Sequence, residues 1–286
     1  MDNYWIQVKP YNIPNTCYTI HGYSWAACAT GFIIPELDIL LDCGVPNKYF
    51  PQFVFVTHGH LDHVYQLPLC NIDAAKSGTK IVKKPVYYVP AEIKNYVYNF
   101  IHSTYVMSKY NPGHRMHNKY ELIPVHYNDN IMIEIKKQQW MIKVFKCDHG
   151  VPCIGYGFTQ IRHKLKEEYQ SLPGKDIQQL RKDGITITEP KEYPIFCFLG
   201  DTTTIVLENN DIFRYPTILI ECTYLYDDDI DNATKNKHVH WLLLEPYVKS
   251  HPENTFILYH FSKRYTVQDI RSFFANILYQ NIVLWC

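Results

Sequence analysis

The sequence predicts an α/β fold of layered sheets with helices outside them, and two features carry that expectation. Apolar runs of four to six residues, rich in Ile, Leu, Val and Phe and bounded by Pro, Gly or Asn, recur along both halves of the chain. Strands buried on both faces read this way. Segments with helical spacing fall between them, and strands mixed with helices on both sides make a sandwich of layers. At 286 residues and 47% hydrophobic content, one domain over residues 1–286 with a sizeable core is expected.

In order, strands are expected in CYTIHGYSW (17–25), ATGFIIPELDILLDCG (29–44) and QFVFV (52–56), followed by a helix over DHVYQLPLCNIDAAK (62–76). PVYYVP (85–90) reads as a strand and AEIKNYVYNFIHSTY (91–105) as a helix, with Ala91 near its start. The second half repeats the alternation. Strands are expected at 132–147, 154–161, 195–200, 217–224 and 255–261, and helices near HWLLLEPYVKS (240–250) and TVQDIRSFFANIL (266–278). Residues 162–189 turn polar and predict an inserted lobe, in which SLPGKD (171–176) is a turn between two short helices. No internal repeat or low-complexity tract is visible.

Lys plus Arg equals Asp plus Glu at 28 each, so the formal net charge is zero and any site for a polyanion must be local. Nine scattered cysteines contain no C-x-x-C pair, which argues against a zinc ribbon and for free, mostly buried thiols in a reducing intracellular compartment. The opening MDNYWIQVKP has no apolar signal core and no apolar run approaches membrane-spanning length, so no membrane partner is expected.

The strongest chemical signal is THGHLDH at residues 57–63, directly after the strand QFVFV. His58 and His60 lie two apart on extended chain and point the same way, while Asp62 and His63 follow where the chain turns toward a helix. Four metal-capable side chains in six residues suit two adjacent sites, and imidazole with carboxylate is the donor set of zinc, with iron or manganese as alternatives. Further candidates close other strands: His149 after MIKVFKCD, Asp201 in LGDTTT and His260 in TFILYH.

THGHLDH resembles the signature of the metallo-β-lactamase superfamily, and the remaining motifs resemble tRNase Z within it, in its short, plant-like form. CDHGVPCIGYGF (147–158) is similar to the family pattern of a ligand His followed by V-P-(S/C)-x-G-Y. LGDTT resembles its G-D-T segment, ECTYLYDD (221–228) its E-A-T-F-L segment, HVHW its catalytic His motif, and YHFSKRY (259–265) its H-F-S-x-R-Y. The matches run in family order from about residue 18 to residue 273. The resemblance implies the metallo-β-lactamase fold, a four-layer αββα sandwich. It implies one Zn2+ on His58, His60 and His149, a second on Asp62, His63 and His260, and Asp201 bridging both. Metal-activated hydroxide would attack the phosphodiester, Asp62 would orient or deprotonate it, His238 would act as general acid, and Glu221 would hold His238. His240, two residues on, is the alternative acid.

The substrate so implied is precursor tRNA, cut to leave a 3′-hydroxyl on the tRNA and a 5′-phosphate on the trailer, by a homodimer in which one subunit grips what the other cuts. The lobe at 162–189 would be the gripping arm, with Lys175, Arg181 and Lys182 on it. Lys263 and Arg264 beside His260, and the cluster Lys76, Lys80, Lys83 and Lys84, are further phosphate-binding candidates. The chain departs from the family after the metal motif, where two glycines are common and Val64-Tyr65-Gln66 stand instead. There, Tyr65 and Gln66 would narrow the cleft or contact a base. The competing readings are a broader nuclease, a phosphodiesterase or a lactamase-like hydrolase on the same scaffold, and a non-catalytic binding protein.

Overall fold

Seven strands form the first sheet in chain order: β1 (Tyr11–Asn12), β2 (Thr19–Trp25), β3 (Ala29–Ile34), β4 (Ile39–Leu41), β5 (Phe53–Phe55), β6 (Val86–Pro90) and β7 (Glu121–Val125). Seven more form the second: β8 (Asn130–Ile135), β9 (Gln138–Cys147), β10 (Cys153–Leu165), β11 (Thr188–Phe198), β12 (Thr217–Glu221), β13 (Thr255–Tyr259) and β14 (Ile282–Leu284). This computed structural model describes residues 4–46, 51–72, 84–109 and 120–286. Each sheet opens as an antiparallel meander, β1 to β4 and β8 to β11, and continues with parallel strands to its far edge.

Helices cover both outer faces: α1 (Leu61–Val64), α2 (Leu67–Ile72) and α3 (Lys94–Lys109) in the first half, then, past α4 (Gly174–Lys182), which has no buried residue, α5 (Ile230–Asn236), α6 (Trp241–Ser250) and α7 (Val267–Phe274). Alternation along each strand divides its side chains between layers. Phe53 and Phe55 enter the core between the sheets with Phe158, Phe196, Phe198 and Tyr259, whereas Val54 faces the layer containing Val97 and Ile101 of α3. On the second sheet Leu219 and Ile257 point inward, while Ile218 and Leu258 pack in the layer of Trp241, Leu244 and Ile270. Both faces of the parallel strands are therefore apolar, and each fully buried large side chain contributes about 1.5–3 kcal/mol. The expected αββα sandwich is what forms.

Several expected elements change shape. Residues 132–147 do not make one strand, because Lys136 and Lys137 both take positive φ (49° and 67°) and reverse the chain between β8 and β9. Such a two-residue reversal ordinarily advertises itself with Gly or Asn, and two lysines conceal it. The helix expected over 62–76 is interrupted by a turn at Tyr65 and Gln66, and its last residues lie outside those described. Strands β7 and β14, both sheet edges, were not anticipated. Pro124 inside β7 is tolerated because an edge strand need not donate from every residue.

The polar segment is carried on the extended β10–β11 hairpin, whose pairing continues to Leu165 opposite Thr188. Burial fades along β10, from a continuous buried run at Cys153–Gln160 to exposed residues at 162–164. At the tip a short 3-10 turn at Glu167–Tyr169 precedes α4. The turn falls at 170–173 and α4 starts at Gly174, so only the first half of SLPGKD is the expected turn and the rest is helix.

Candidate active site

The site lies where strands of both sheets end. Asp42 follows β4, His58 to His63 follow β5 and enter α1, His149 sits between β9 and β10, Asp201 follows β11, Glu221 ends β12, and His260 follows β13. Glycines allow these loops to approach one another. A Cβ on Gly44 would fall 1.6 Å from the Asp62 carbonyl oxygen, and one on Gly200 would lie 2.7 Å from Thr57 Cβ. Any larger residue at either position would displace the neighbouring loop. Asp42 and His260 have positive φ (53° and 62°), a conformation costly for residues with a Cβ and one that clusters at functional sites.

The described residues contain three groups of side chains whose donor atoms lie within 4.8 Å of one another: His58, His60, His149 and Asp201; Asp62, His63 and His260; and Asp201, His238 and His260. His149 Nε2 is 3.3 Å from His60 Nδ1, and His63 Nε2 is 3.3 Å from His260 Nε2. Asp201 connects the groups, with Oδ1 3.5 Å from His63 Nε2 and Oδ2 3.4 Å from His260 Nε2 and 3.7 Å from His58 Nε2. All seven residues expected around metal thus converge, from positions up to 202 residues apart.

Their surroundings orient them. His63 Nδ1 meets Asp42 Oδ2 at 2.7 Å, His58 Nδ1 meets the Thr57 hydroxyl at 3.0 Å, His260 Nδ1 meets the Thr223 hydroxyl at 3.2 Å, and His149 Nδ1 donates to the Lys237 carbonyl at 2.9 Å. In each case Nε2 is left toward the centre, the arrangement that fixes imidazole ligands. Asp42 in turn accepts from the Thr57 amide and hydroxyl, both at 2.8 Å. Asp42 and Thr223 escaped sequence reasoning, although Asp42 does close the buried run ILL in the manner of the other strand-end candidates.

The donor set fits a metal cation. His58 Nε2 and Asp201 Oδ1 are buried without a hydrogen-bond partner, a costly condition that a cation relieves. Burial, reinforced by neighbouring imidazoles, holds His58 well below its usual pKa and lowers His60, so both present lone pairs. For Asp62 and Asp201 burial opposes ionisation, but adjacent imidazoles, His260 first, outweigh it and hold both carboxyls below their usual range.

Beside this cluster, His238 Nδ1 meets Glu221 Oε1 at 2.7 Å. Glu221 is completely buried and fixed by the Thr202 and Thr223 amides and the Thr223 hydroxyl. Burial alone would discharge His238, yet the Glu221 carboxylate prevails and carries its pKa up to about 9. His240 plays another part. It is fully buried, its Nδ1 accepts from the Leu242 amide at the start of α6, and its Nε2 donates to the Tyr226 carbonyl. No ring nitrogen of His240 is left for the cleft.

His60, Asp62, His149, Asp201, His238 and His260 line an open cleft of about 580 Å³. Lys263 and Arg264 also line it, with Arg264 Nη1 bound to Asp229 at 2.7 Å and its guanidinium 5.6 Å from the Tyr224 ring centroid. Lys175, Arg181 and Lys182 are exposed on α4 of the lobe, outside the cleft lining. Lys84 is exposed, whereas Lys76, Lys80 and Lys83 lie outside the described residues. Tyr65 and Gln66 do not line the cleft; Gln66 is buried with its amide on the Cys43 carbonyl, and exposed Leu61 stands at the rim instead. The turn after α1 carries Tyr65 and Gln66 away from the opening.

No protein-family model matches the chain. It is 31% identical over 262 residues to the chloroplastic tRNase Z TRZ2 of Arabidopsis thaliana, across 89% of this chain and 70% of that protein. It is also 31% identical over 259 residues to tRNase Z TRZ1 of the same plant, across 88% of each. Among solved structures, human tRNase Z short form superposes with a TM-score of 0.56 at 17% identity, covering 91% of this chain and 93% of that one. The metallo-β-lactamase fold protein YhfI of Bacillus subtilis gives 0.57 at 16% identity, covering 91% and 92%. The solved structures establish the fold, the Arabidopsis relatives establish the family, and this chain belongs to the tRNase Z family of metallo-β-lactamase-fold proteins.

Proposed function

We propose that the chain is a metal-dependent endoribonuclease that removes the 3′ trailer from precursor tRNA. The observation that carries this reading is the Glu221–His238 pair set at the edge of the metal-type cluster, in a chain of the tRNase Z family. The pair is an acid for a poor leaving group, which a β-lactam ring opening does not need.

His58, His60 and His149 would hold one zinc ion, Asp62, His63 and His260 a second, and Asp201 would touch both; manganese or iron are alternatives. Cations held there would supply Lewis acidity toward the phosphate and a water of lowered pKa. Asp62, kept ionised by His260 and His63, orients the attacking water and takes its proton. His238 donates from Nε2 to the departing 3′ oxygen as the P–O bond breaks, while its Nδ1–H stays on Glu221. The tRNA keeps a 3′-hydroxyl and the trailer a 5′-phosphate. Outside the cleft, the lobe at 162–189 is the arm that holds the tRNA body, with Lys175, Arg181 and Lys182 on phosphates, and a homodimer lets one subunit's arm serve the partner's cleft. Lys263 and Arg264, which line the cleft, would meet the phosphates next to the cut.

Zinc-loaded protein incubated with precursor tRNA, next to His238→Ala and a lactam, tests the reading. A single cut at the trailer junction that the substitution abolishes supports it. Indiscriminate RNA or DNA breakdown, or lactam opening with the tRNA left intact, overturns it.

A further inference from the structure

From the catalytic cleft a groove continues past the His149 loop to an exposed tyrosine. A recess of about 530 Å³ is lined by Tyr127, Lys146 and Lys237 together with His149 and Gly150, and the last two also line the catalytic cleft. A second recess of about 450 Å³ adjoins it across the same Tyr127, Lys146 and Asp148, with Ile205 on its far side. Tyr127 is 57% exposed, yet its backbone is tightly held. The His126 amide donates to Asp129 Oδ2 at 2.8 Å, the Asn128 amide donates to the Val144 carbonyl, and the Val144 amide returns to the Asp129 carbonyl, both at 2.9 Å. Asn128 adopts φ 68° to close the turn. Lys146, exposed on β9, places its ammonium 5.8 Å from the Tyr127 ring centroid. Of the three carboxylates that line the recesses, Asp148 at the crossing is engaged by Lys237 Nζ at 2.8 Å and the Thr203 hydroxyl at 2.9 Å, while Glu92 lines the first recess and Glu208 the second.

We infer that this groove is a platform for single-stranded RNA, and specifically for the 3′ trailer of the substrate. A tyrosine held on a rigid turn offers a stacking face at little entropic cost, and an adjacent lysine meets the phosphate that follows a stacked base. Any base can stack on it, as trailers of varied sequence require. An exposed ring face takes a base that is free to unstack, which a single strand offers and a base inside an A-form duplex does not. On one side of the cut lies the acceptor stem, which is paired; on the other lies the trailer, which is not. The strand in this groove is therefore the trailer. Neither Tyr127 nor Lys146 touches the reacting atoms, and their part is binding.

The inference rests on the tRNA-processing reading, so its test uses two readouts. Cleavage is measured on precursor tRNAs with trailers of one, four and eight nucleotides, and binding by fluorescence anisotropy of a labelled eight-nucleotide RNA. Tyr127→Ala is expected to raise KM for the longer trailers and weaken oligonucleotide binding on the order of tenfold, the worth of one stacked base. It should leave the one-nucleotide trailer and kcat unchanged. Tyr127→Phe, which keeps the stacking face, should restore both, and Lys146→Ala should flatten the salt dependence of binding. Equal KM changes at every trailer length, or no change in cleavage or binding, overturn the platform while leaving tRNA processing standing. Tyr127-dependent oligonucleotide binding by a wild-type protein that does not cut precursor tRNA would keep a single-strand platform, discard its assignment to the trailer, and overturn the processing reading.

Discussion

At the scale of single residues, the contrast between His238 and His240 shows how position decides role. They stand two apart in HVHW, yet one faces the cleft against Glu221 and the other is locked between two backbone groups. His238→Ala should lower kcat on precursor tRNA by about 10²–10⁴-fold, with zinc content by atomic absorption unchanged. His240→Ala should retain the catalytic step but destabilise the fold by about 1–3 kcal/mol, because it removes the cap of α6 and leaves a void where a fully buried ring stood; denaturant melts check this. Asp229 offers a pH test away from the metal-type cluster. Burial opposes its charge, but hydrogen bonds from Tyr265 and Asn232 and the Arg264 guanidinium outweigh that and hold its carboxyl below the usual range. A depressed carboxylate stabilises the fold above its unfolded pKa of about 3.9, and that stability is lost as pH falls through the folded value. Thermal melts from pH 7 down to pH 2 should show Asp229→Asn less stable than wild type at neutrality, with the gap closing in acid.

At the scale of elements, the lobe behaves as an accessory to the sandwich. Its strands are continuations of β10 and β11, its helix α4 has no buried residue, and Arg181 and Lys182 project from the last turn of that helix. Reversing both charges to Glu should weaken tRNA binding several-fold and steepen with falling salt, while hydrolysis of a small phosphodiester stays near wild type. Equal loss on both substrates would remove the lobe from tRNA recognition. The β8–β9 reversal illustrates a different point. The apolar pattern lapses for four polar residues, Lys136 to Gln139, but none is the Gly, Asn or Pro that marks a turn, so the two strands read as one.

At the scale of the whole molecule, the metal-type cluster joins the two halves. His58, His60, Asp62 and His63 come from loops of the first sheet, and His149, Asp201 and His260 from loops of the second. A cation bound there links halves that are otherwise held by their shared apolar layer. Stripping metal with a chelator should lower Tm, and zinc should restore it with a dependence on free zinc. At a hundred times Kd the linkage is about 2.7 kcal/mol. A Tm indifferent to chelation and zinc alike would argue against a cation in this cluster.

By itself the sequence determined the layered α/β class, most of the inner strands and the seven candidate ligands that the fold brings together. These are written locally: buried parallel strands need continuous apolar runs, and ligands at their ends need particular side chains at fixed offsets such as H-x-H-x-D-H. Order along the chain also sufficed to connect LGDTT, ECTYLYDD and YHFSKRY into one family pattern. Only the tertiary structure decided which histidine of HVHW faces the cleft, that Asp42 and Thr223 orient His63 and His260, that Tyr65 and Gln66 turn away from the opening, and that Tyr127 stands beside it. Each of these depends on contacts between residues distant in sequence, on loop reversals with φ values that the residue types do not advertise, or on an edge strand whose apolar signal is weak because only part of it is buried.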